Sequence, residues 1–469
     1  MEENKYLFDF EEIDEKLEAE RREQRKKKHR QSRIISWVVM AALICGAVVA
    51  GVFFIKNMKP DEVPEKVASV SQPEEQEPLP SIDEPVEEWF VDEDIIDIPS
   101  IISSGPSEEE LFADAVTQYV ATMAEEDKVA GLFITAPEQI TGVEKVTRAG
   151  DGTKTALNKY AVGGIVYDSK NIEDKDQFKT MIANTVSYAR YPLFTVINEE
   201  LGKGVLASAL KLGNTKNPTE IGEGYNPLDA YENETVIADY LVEYGINTNM
   251  GVVADLIHGD DTTEAAKSSF GSEPVIVGQI VSQEIAALTE KGINAAVKFF
   301  PGQVAASQDT ASGVATVSLS KEELQASDFV SFKAAIDLGA AMVIVSHASV
   351  PALDESMTPC SMSKPVMTDL LRVEMGYDDL IIVTDAMNKA AISEYYDSKE
   401  AAVNAIKAGA DMVLLPENFE EAYNGVLEAV KSGVIAKERI DDSLVRIYKA
   451  KFNGLSSEEV LAKFSTEGE

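Results

Sequence analysis

The hydrophobic pattern of this chain changes abruptly near residue 107. From about Ser107 onward, short apolar runs alternate with amphipathic stretches that repeat at a helical spacing. The apolar runs are continuous, which is typical of strands buried on both faces of a parallel sheet. They predict eight strands, at Val129–Thr135, Val162–Tyr167, Leu193–Asn198, Thr248–Ala254, Ala295–Phe300, Met342–Ser346, Leu380–Thr384 and Asp411–Leu415.

Helical stretches fall between most of these strands. They include Asp176–Arg190, Val275–Lys291, Asp328–Gly339, Ser363–Met375 and Lys399–Gly409. Eight strand–helix units predict an α/β fold, a (β/α)₈ barrel of the TIM type, over residues 107–469. The segment Gly202–Asn233 is rich in Gly, Asn and Pro and is predicted to be a long loop after the third strand. After Tyr448 we expect one last helix and an irregular end.

The N-terminal part of the chain has a different pattern. Residues Ile34–Ile55 form 22 consecutive positions without a charge, enough to cross a bilayer as a helix. Arg21–Arg33 carries eight Lys or Arg and one Glu, and such a basic block marks the cytoplasmic side of a span. A cleaved signal peptide is the alternative, but the apolar run is too long and the preceding tail too extended. We expect a cytoplasmic tail at 1–33, a retained transmembrane signal anchor at 34–55, and an extracellular remainder.

Charge and cysteine content narrow the function further. The net charge is −39, and residues 56–106 combine many Asp and Glu with repeated Pro, which predicts an extended acidic linker. An acidic exterior argues against nucleic acid as a partner. Cys45 lies in the predicted span and Cys360 in the barrel, so no intrachain disulfide is expected. With only three histidines, a His or Cys metal site is not expected, nor is a cofactor, and protein partners stay open.

Polar residues at the predicted strand ends are the candidate site residues. The carboxyl ends of parallel barrel strands open onto one shared face, where reactive groups lie. These residues are Asn198, Glu199, Glu200, Asp255, Lys298, His347 and Asp385. Asp385 is either a site residue or the cap of a helix that begins near Asn388.

Three of these positions have open alternatives. Lys298 is a Schiff-base nucleophile, a cation that orients a ligand hydroxyl, or an ion-pair partner. His347 either hydrogen-bonds the barrel rim or takes part in catalysis. The turn from Asp255 to His258 is expected to hold a hydrogen bond at the rim.

Several motifs together resemble glycoside hydrolase family 3, and most closely its single-domain β-N-acetylhexosaminidase branch. They are KFFPG at Lys298, MVIVSH ending at His347, LLRVEMGYDDLIIVTDAM ending at Met387 and AIKAGADMVLLP ending at Pro416. PLFTVINEELGKGV resembles the branch's strand-three motif, and SSFGSEP at Ser268 resembles its Arg-Ser-Phe-Gly-Ser-Asp-Pro motif. The similarity covers roughly Glu108 to Lys451.

The resemblance implies a retaining glycosidase. Asp385 matches the catalytic nucleophile, which attacks the anomeric carbon. In this branch the acid/base is a histidine on the loop after strand five, oriented by an aspartate two residues earlier. Alignment on KFFPG without gaps places that aspartate at Asp309 and the histidine at Ala311. The acid/base side chain is therefore absent, and Asp309 is the remnant of the dyad.

Other positions also depart from the family pattern. The Lys-His pair of strand five is Lys298-Phe299 here, and the histidine after Pro-Gly is Gln303. The strand-three aspartate that holds sugar hydroxyls appears as Asn198, and the arginine of the Arg-Ser-Phe-Gly motif as Ser268. The expected substrate-binding residues are Lys298, His347, Asn198 and Glu200.

Two functions are therefore expected as alternatives. The first is a glycosidase at a bacterial cell membrane that acts on extracytoplasmic amino sugars of the cell wall peptidoglycan, with reduced or altered activity. Its substitute acid/base would be Glu199, Glu200 or a residue of Gly202–Asn233. The second is a catalytically degenerate scaffold that binds glycan or a protein partner. A lysine-dependent aldolase using Lys298 would explain neither the Pro-Gly turn nor the motif order.

Overall fold

The computed structural model describes residues 106–213, 215–259 and 265–463. Eight parallel strands form one sheet in the order β7-β6-β5-β4-β3-β2-β1-β8. A parallel bridge between Val383 and Met412 joins its two edge strands, so the sheet closes into the predicted barrel. The strands are β1 Phe133–Thr135, β2 Gly164–Val166, β3 Phe194–Ile197, β4 Thr248–Val253, β5 Asn294–Phe300, β6 Met342–Val345, β7 Ile381–Thr384 and β8 Val413–Leu414.

Helices follow the strands and cover the sheet. The α-helices are α1 Glu108–Thr122, α2 Glu125–Ala130, α3 Pro137–Thr141, α4 Asp151–Lys159, α5 Lys175–Tyr188, α6 Val205–Leu210, α7 Pro218–Gly224, α8 Pro227–Tyr244, α9 Pro274–Glu290, α10 Lys321–Ala326, α11 Asp328–Asp337, α12 Ala390–Ser393, α13 Ser398–Ala408, α14 Phe419–Lys431, α15 Lys437–Lys451 and α16 Ser457–Ala462. A π-helix spans Pro365–Glu374, and short 3₁₀ turns lie at Ser169–Asn171, Ala266–Ser268 and Cys360–Met362.

Burial explains the continuous apolar runs of the sequence. All six residues of β4 and all four of β3, β6 and β7 are buried, because the barrel interior covers one face and helices cover the other. Capping residues fix several helix starts. At the start of α5, the Asp174 side chain accepts a hydrogen bond from the Gln177 N–H, and Gln177 Oε1 accepts one from the Asp174 N–H.

Two sequence predictions were wrong in detail. Val129 does not begin the first strand, because it lies in α2 and the strand starts at Phe133. The segment Gly202–Asn233 is not one long loop, since it contains α6, α7 and the first turns of α8. Its prolines start helices: Pro218 and Pro227 each occupy the first helical position, where the missing N–H costs nothing.

The predicted N-terminal tail, the membrane span at 34–55 and the acidic linker up to residue 105 lie outside the described residues. In the part of the chain that is described, none of the helices combines the length and the apolar character that a bilayer crossing requires.

Candidate active site

Lys298 is the centre of a buried ion-pair network at the carboxyl ends of β3 and β5. Its Nζ lies 2.5 Å from Asn198 Oδ1 and 2.6 Å from Glu200 Oε1. The Lys298 side chain is only 4% exposed, so water screens this contact weakly. The structure thus brings together three of the predicted substrate-binding residues and supports the ion-pair interpretation of Lys298.

The protonation state of Glu200 follows from this network. Burial by itself would raise the pKa of Glu200, but Lys298 and Lys203 outweigh burial and lower that pKa to about 2. Glu200 is therefore a carboxylate at neutral pH and has no proton to give a leaving group. Its contacts with Lys298, Lys203 and Ser268 therefore argue against Glu200 as the substitute general acid.

Lys203 and Ser268 complete the network on its open side. Lys203 Nζ lies 3.1 Å from Glu200 Oε2 and also contacts Ser268 Oγ. Ser268 Oγ in turn donates to Glu200 Oε2 over 3.1 Å. Lys203 follows Glu200 within a turn that its N–H closes on the Glu200 carbonyl, and nothing in the sequence indicated this pair.

Asp385 directly follows β7 and is buried. Its Oδ1 accepts a hydrogen bond of 2.7 Å from the Ala386 N–H, and its Oδ2 lies 2.7 Å from Lys389 Nζ. Burial alone would raise the pKa of Asp385, but Lys389 outweighs burial and the net shift is downward. Asp385 is ionised, as a nucleophile must be, but both of its oxygens are engaged.

The helix after Asp385 excludes the capping alternative. Helix α12 begins at Ala390, its N-cap residue is Lys389, and no side chain caps it. The Asp385 carboxylate instead turns toward the N–H of its own neighbour and toward Lys389.

Phe299 joins the two ion pairs across the barrel mouth. Lys389 Nζ lies 5.0 Å from the centre of the Phe299 ring, and Lys298 Nζ lies 5.4 Å from it. Ammonium groups at these distances are attracted to the aromatic face. Phe299 occupies the position at which the family that the sequence resembles has a histidine. A phenyl ring cannot donate a proton there.

His347 is a positioning residue in this arrangement. Its Nδ1 lies 2.7 Å from Ser361 Oγ and its Nε2 lies 2.9 Å from the Ala386 carbonyl oxygen. A carbonyl only accepts, so we assign the ring proton to Nε2. Burial lowers the pKa of His347, which keeps the ring neutral. Both ring nitrogens are engaged, so of the two alternatives the hydrogen-bonding role is favoured.

The loop after β5 holds no acid/base side chain at the predicted position. Asp309 is exposed, and its Oδ1 accepts a hydrogen bond of 2.8 Å from the Ala311 N–H, which closes a local turn. Thr310 is buried between them, and its carbonyl accepts a bond of 3.1 Å from the Ala391 N–H. The loop is therefore tied to the segment after Asp385, while position 311 presents only a methyl group.

Gln303 ties the beginning of the same loop to the neighbouring strand. Its side chain is buried, and its Oε1 accepts a hydrogen bond of 2.8 Å from Ser346 Oγ at the end of β6. Gln303 thus acts as a structural anchor in this chain.

Glu199 points away from the mouth. Its carboxylate accepts hydrogen bonds of 2.7 Å from the Leu206 N–H, 2.8 Å from the Ala207 N–H and 2.7 Å from the Tyr240 hydroxyl. Burial raises its pKa. Gly204 packs so closely that a Cβ there would lie 2.0 Å from Glu199 Oε1. Glu199 anchors the start of α6 and is not free to act as a substitute acid/base.

The turn from Asp255 to His258 holds a hydrogen bond at the barrel rim, between Asp255 and Phe299 of β5. Asp255 Oδ1 accepts from the Phe299 N–H over 3.1 Å, and burial, assisted by Asp328, raises the pKa of Asp255 to about 8. His258 Nε2 lies 2.7 Å from Asp328 Oδ2, a pair that the sequence did not reveal. His258 is therefore a structural residue of the turn after β4, where Asp328 also accepts a hydrogen bond from the Leu256 N–H.

No cluster of His, Cys, Asp or Glu suited to a metal ion occurs within residues 106–213, 215–259 and 265–463. The arrangement can bind a polar ligand through ammonium and carboxylate groups. It also holds the Asp385 carboxylate directly after β7.

Residues 126–450 match the N-terminal domain of glycosyl hydrolase family 3. The chain belongs to this family. Among its relatives is Beta-hexosaminidase A of Pseudoalteromonas piscicida, 25% identical over 323 residues, which are 63% of this chain and 54% of that protein. Beta-hexosaminidase LpqI of Mycobacterium tuberculosis is 26% identical over 340 residues, which are 71% of this chain and 84% of that protein.

A solved family 3 β-N-acetylglucosaminidase from Paenibacillus sp. has the same fold. It superposes with a TM-score of 0.64 at 26% identity, covering 74% of this chain and 69% of that one. The chain spans about half the length of the first curated relatives it matches, 54% and 52%. Family 3 membership is consistent with the barrel and with a glycan as the ligand class.

Proposed function

We propose that this family 3 protein is a membrane-anchored β-N-acetylhexosaminidase-type protein with strongly reduced or altered activity. It acts on amino sugars of a bacterial cell wall, outside the membrane. One observation carries the reduced activity: Asp309 closes a turn on the Ala311 N–H, and position 311 has no titratable side chain. The relatives named Beta-hexosaminidase support the substrate class.

The missing proton donor limits the first chemical step. Retaining hydrolysis needs a nucleophile and a second group that protonates the departing oxygen. Asp385 is an ionised carboxylate, but Glu200 has a pKa of about 2 and Glu199 is engaged by α6. Loss of a general acid/base lowers the rate by a factor of about 10² to 10⁴.

The ion pair at Asp385 lowers reactivity further. Each Asp385 oxygen already accepts from one donor, Oδ1 from the Ala386 N–H and Oδ2 from Lys389 Nζ, and these contacts stabilise the negative charge that attack on an anomeric carbon would use. Contacts that stabilise the resting carboxylate without stabilising the transition state raise the barrier. This ion pair favours a second candidate function, a tethered domain that binds glycan, or a protein partner, without turnover.

Hydrolysis of an aryl β-N-acetylglucosaminide by the full-length protein tests the proposal. The parent is compared with Asp385→Asn and with Ala311→His, which returns an imidazole to a loop that is tied to the segment after Asp385. Slow turnover that Asp385→Asn abolishes supports the weak enzyme. If the parent shows no hydrolysis and Ala311→His is active, the substrate cleft is preserved and only the acid/base side chain is missing.

If none of the three proteins hydrolyses the substrate, a binding experiment decides between the two candidate functions. Affinity for N-acetylglucosamine oligosaccharides would then support the second candidate. If the protein neither hydrolyses nor binds amino sugars, the proposed ligand class is wrong.

The membrane anchor is tested separately. Cells that express the full chain are fractionated and compared with cells that express a chain lacking residues 34–55. The proposal expects the full chain in the membrane fraction and the barrel accessible to protease added outside. Recovery of the full chain without membrane would refute the anchor.

A further inference from the structure

Lys451, the last residue of α15, lies at the amino end of the barrel. Its Nζ is 5.0 Å from the ring centre of Phe194, the first residue of β3. Asp385 follows the last residue of β7 and therefore lies at the opposite end. Lys451 is thus outside the candidate active site, and the proposed function does not use it.

Aromatic rings surround the Lys451 amine. The ring centre of Tyr448 is 4.7 Å from Nζ, and Tyr448 and Phe194 are both buried. Tyr448 in turn packs against Tyr119 and Phe452, with ring centres 5.0 and 5.6 Å away. The amine therefore lies against a packed aromatic cluster that excludes water from part of its surface. Lys451 itself is only half-buried, which leaves the residue accessible from solvent.

No counter-charge compensates the Lys451 amine. Within residues 106–213, 215–259 and 265–463, its Nζ has neither a carboxylate at ion-pair distance nor a hydrogen-bond acceptor. Lys449, two residues earlier, differs because its Nζ lies 2.9 Å from Asp379 Oδ1. An uncompensated ammonium that has lost hydration water is destabilised relative to the neutral amine.

The neutral amine is therefore well populated at neutral pH. Aromatic faces attract an ammonium, but burial outweighs this attraction and lowers the pKa of Lys451 from 10.5 to about 7. The titratable side chains that pack around the amine are tyrosines, Tyr448 and behind it Tyr119. A desolvated lysine of this kind is a nucleophile, because its nitrogen lone pair is free to attack an electrophilic carbon.

We propose that Lys451 is a site of covalent acylation by activated esters. The Nζ lone pair attacks the acyl carbon, and a nitrogen–carbon bond forms. The bond between that carbon and the ester oxygen breaks, the oxygen leaves with the bonding electron pair, and one amine proton passes to water. The product is a neutral amide, which suits a site that lacks a counter-charge. A carbamate would place a negative charge beside the aromatic faces, and methylation would keep the uncompensated positive charge.

Limited acetylation of the full-length protein with p-nitrophenyl acetate tests this inference, with peptide mass spectrometry as the readout. At about pH 7 a lysine of ordinary pKa is neutral in roughly one molecule in 3,000, whereas an amine with a pKa of about 7 is neutral in about half of them. Lower basicity and partial burial reduce this advantage. We therefore expect Lys451 to react about tenfold faster than an ion-paired lysine of similar burial.

Lys128 is that matched lysine. Its side chain is 16% exposed, and its Nζ lies 2.7 Å from Asp441 Oδ1. Lys451→Arg should remove the fast acetylation and leave the modification of Lys128 unchanged, because a guanidinium keeps the charge but does not react as an amine. Between about pH 7 and about pH 8.5 the acetylation rate of Lys451 should rise by only about twofold, since the amine is already half neutral at the lower pH.

Two results would overturn the inference. The first is acetylation of Lys451 at about pH 7 no faster than that of Lys128. The second is a rise of about 30-fold in the Lys451 rate between the two pH values, which would show an ordinary, hydrated ammonium. Both are measured on the parent protein, so the test does not depend on the folding of Lys451→Arg. Neither result bears on the proposed function.

Discussion

Lys389 neutralises Asp385 over a distance of 2.7 Å between Nζ and Oδ2. The Asp385 side chain is 5% exposed and that of Lys389 is 24% exposed, so the pair is largely shielded from water. Position 311 lacks an acid/base side chain, and Asp385, the residue matched to the nucleophile by resemblance, is held in an ion pair.

Replacing Lys389 should change the ionisation of Asp385. In Lys389→Met the burial of Asp385 is no longer opposed by the ammonium, so the Asp385 pKa should rise from below to above its ordinary value of 3.8. The loss of one partner from a largely buried pair should also destabilise the fold by roughly 2 kcal/mol. Carboxyl ¹³C NMR, assigned with Asp385→Asn, measures the pKa, and urea unfolding measures the stability.

Lys333→Met is the matched control for this substitution. Lys333 and Asp337 have the same spacing and the same 2.7 Å distance, but their side chains are 62% and 48% exposed. Their separation should cost at most about 0.5 kcal/mol. Equal losses in the two variants would contradict the importance of burial at Asp385.

Glu200→Gln should strongly destabilise the barrel mouth at neutral pH. The substitution leaves Lys298 buried without a counter-charge, which should cost about 3 kcal/mol. The folded-state pKa of Glu200 is lowered to about 2, below the ordinary value of 4.5. The stabilisation by the carboxylate is thus complete above 4.5 and is lost as the pH falls toward 2. The stability difference between parent and variant should shrink along that interval in urea titrations.

Glu243→Gln controls for the loss of any acidic partner. Glu243 and Lys179 lie 2.6 Å apart on the surface, with side chains 57% and 39% exposed. We expect little change in stability from this variant. If the loss of stability in Glu200→Gln does not depend on pH, then packing rather than charge accounts for that loss.

The two histidines of the barrel should affect stability in opposite directions with pH. The folded-state pKa of His347 is lowered by burial, so its neutral form stabilises the fold above its ordinary pKa of 6.5, and this stability is lost as the pH falls. The pKa of His258 is raised by Asp328, so its contribution is complete below 6.5 and is lost as the pH rises through the folded value.

Thermal or urea unfolding at about pH 5.5 and about pH 8 separates these effects. The cost of His347→Gln should be larger at the higher pH, and the cost of His258→Gln should be larger at the lower pH. The same pH trend in both variants would contradict the assigned environments.

Gly204→Ala should disrupt the anchor of α6. The added Cβ would overlap Glu199 Oε1, so the carboxylate must leave the Leu206 and Ala207 N–H groups. Overpacking of this kind should cost about 1 to 3 kcal/mol.

Gly152→Ala, within α4, is the control, because a Cβ there meets nothing within 4 Å. It should stabilise the protein by about 0.5 to 1 kcal/mol, since alanine favours helix. If both alanine variants have the same stability in urea unfolding, the conclusion that Gly204 packs against Glu199 without room for a Cβ is contradicted.

The predictions from sequence were most accurate where buried strands determine the pattern. All eight strands exist, and the ends of β3 and β5 bring Asn198, Glu200 and Lys298 into contact. They were least accurate at Gly202–Asn233, because glycine, asparagine and proline occur both in loops and at helix ends. Proline at a first helical position favours a helix, and Pro218 and Pro227 both occupy such a position.

Neighbouring glutamates illustrate what the local sequence leaves open. Glu199 and Glu200 both follow β3, yet Glu199 faces the start of α6 and Glu200 faces Lys298. Successive side chains of an extended segment point to opposite sides, which explains why one of the two is excluded from the mouth. Which one it is depends on the register of β3 against its neighbours.

The sequence by itself determined the barrel, the family resemblance and the absence of an acid/base side chain at Ala311, because these depend on the order and identity of residues. Only the tertiary structure decided which charges meet. The contacts of Lys203 with Glu200 and of Lys389 with Asp385 depend on distances of about 3 Å between side chains. Hydrophobic burial specifies strands with little regard to such distances, whereas an ion pair is lost when its partners move apart by a few ångströms.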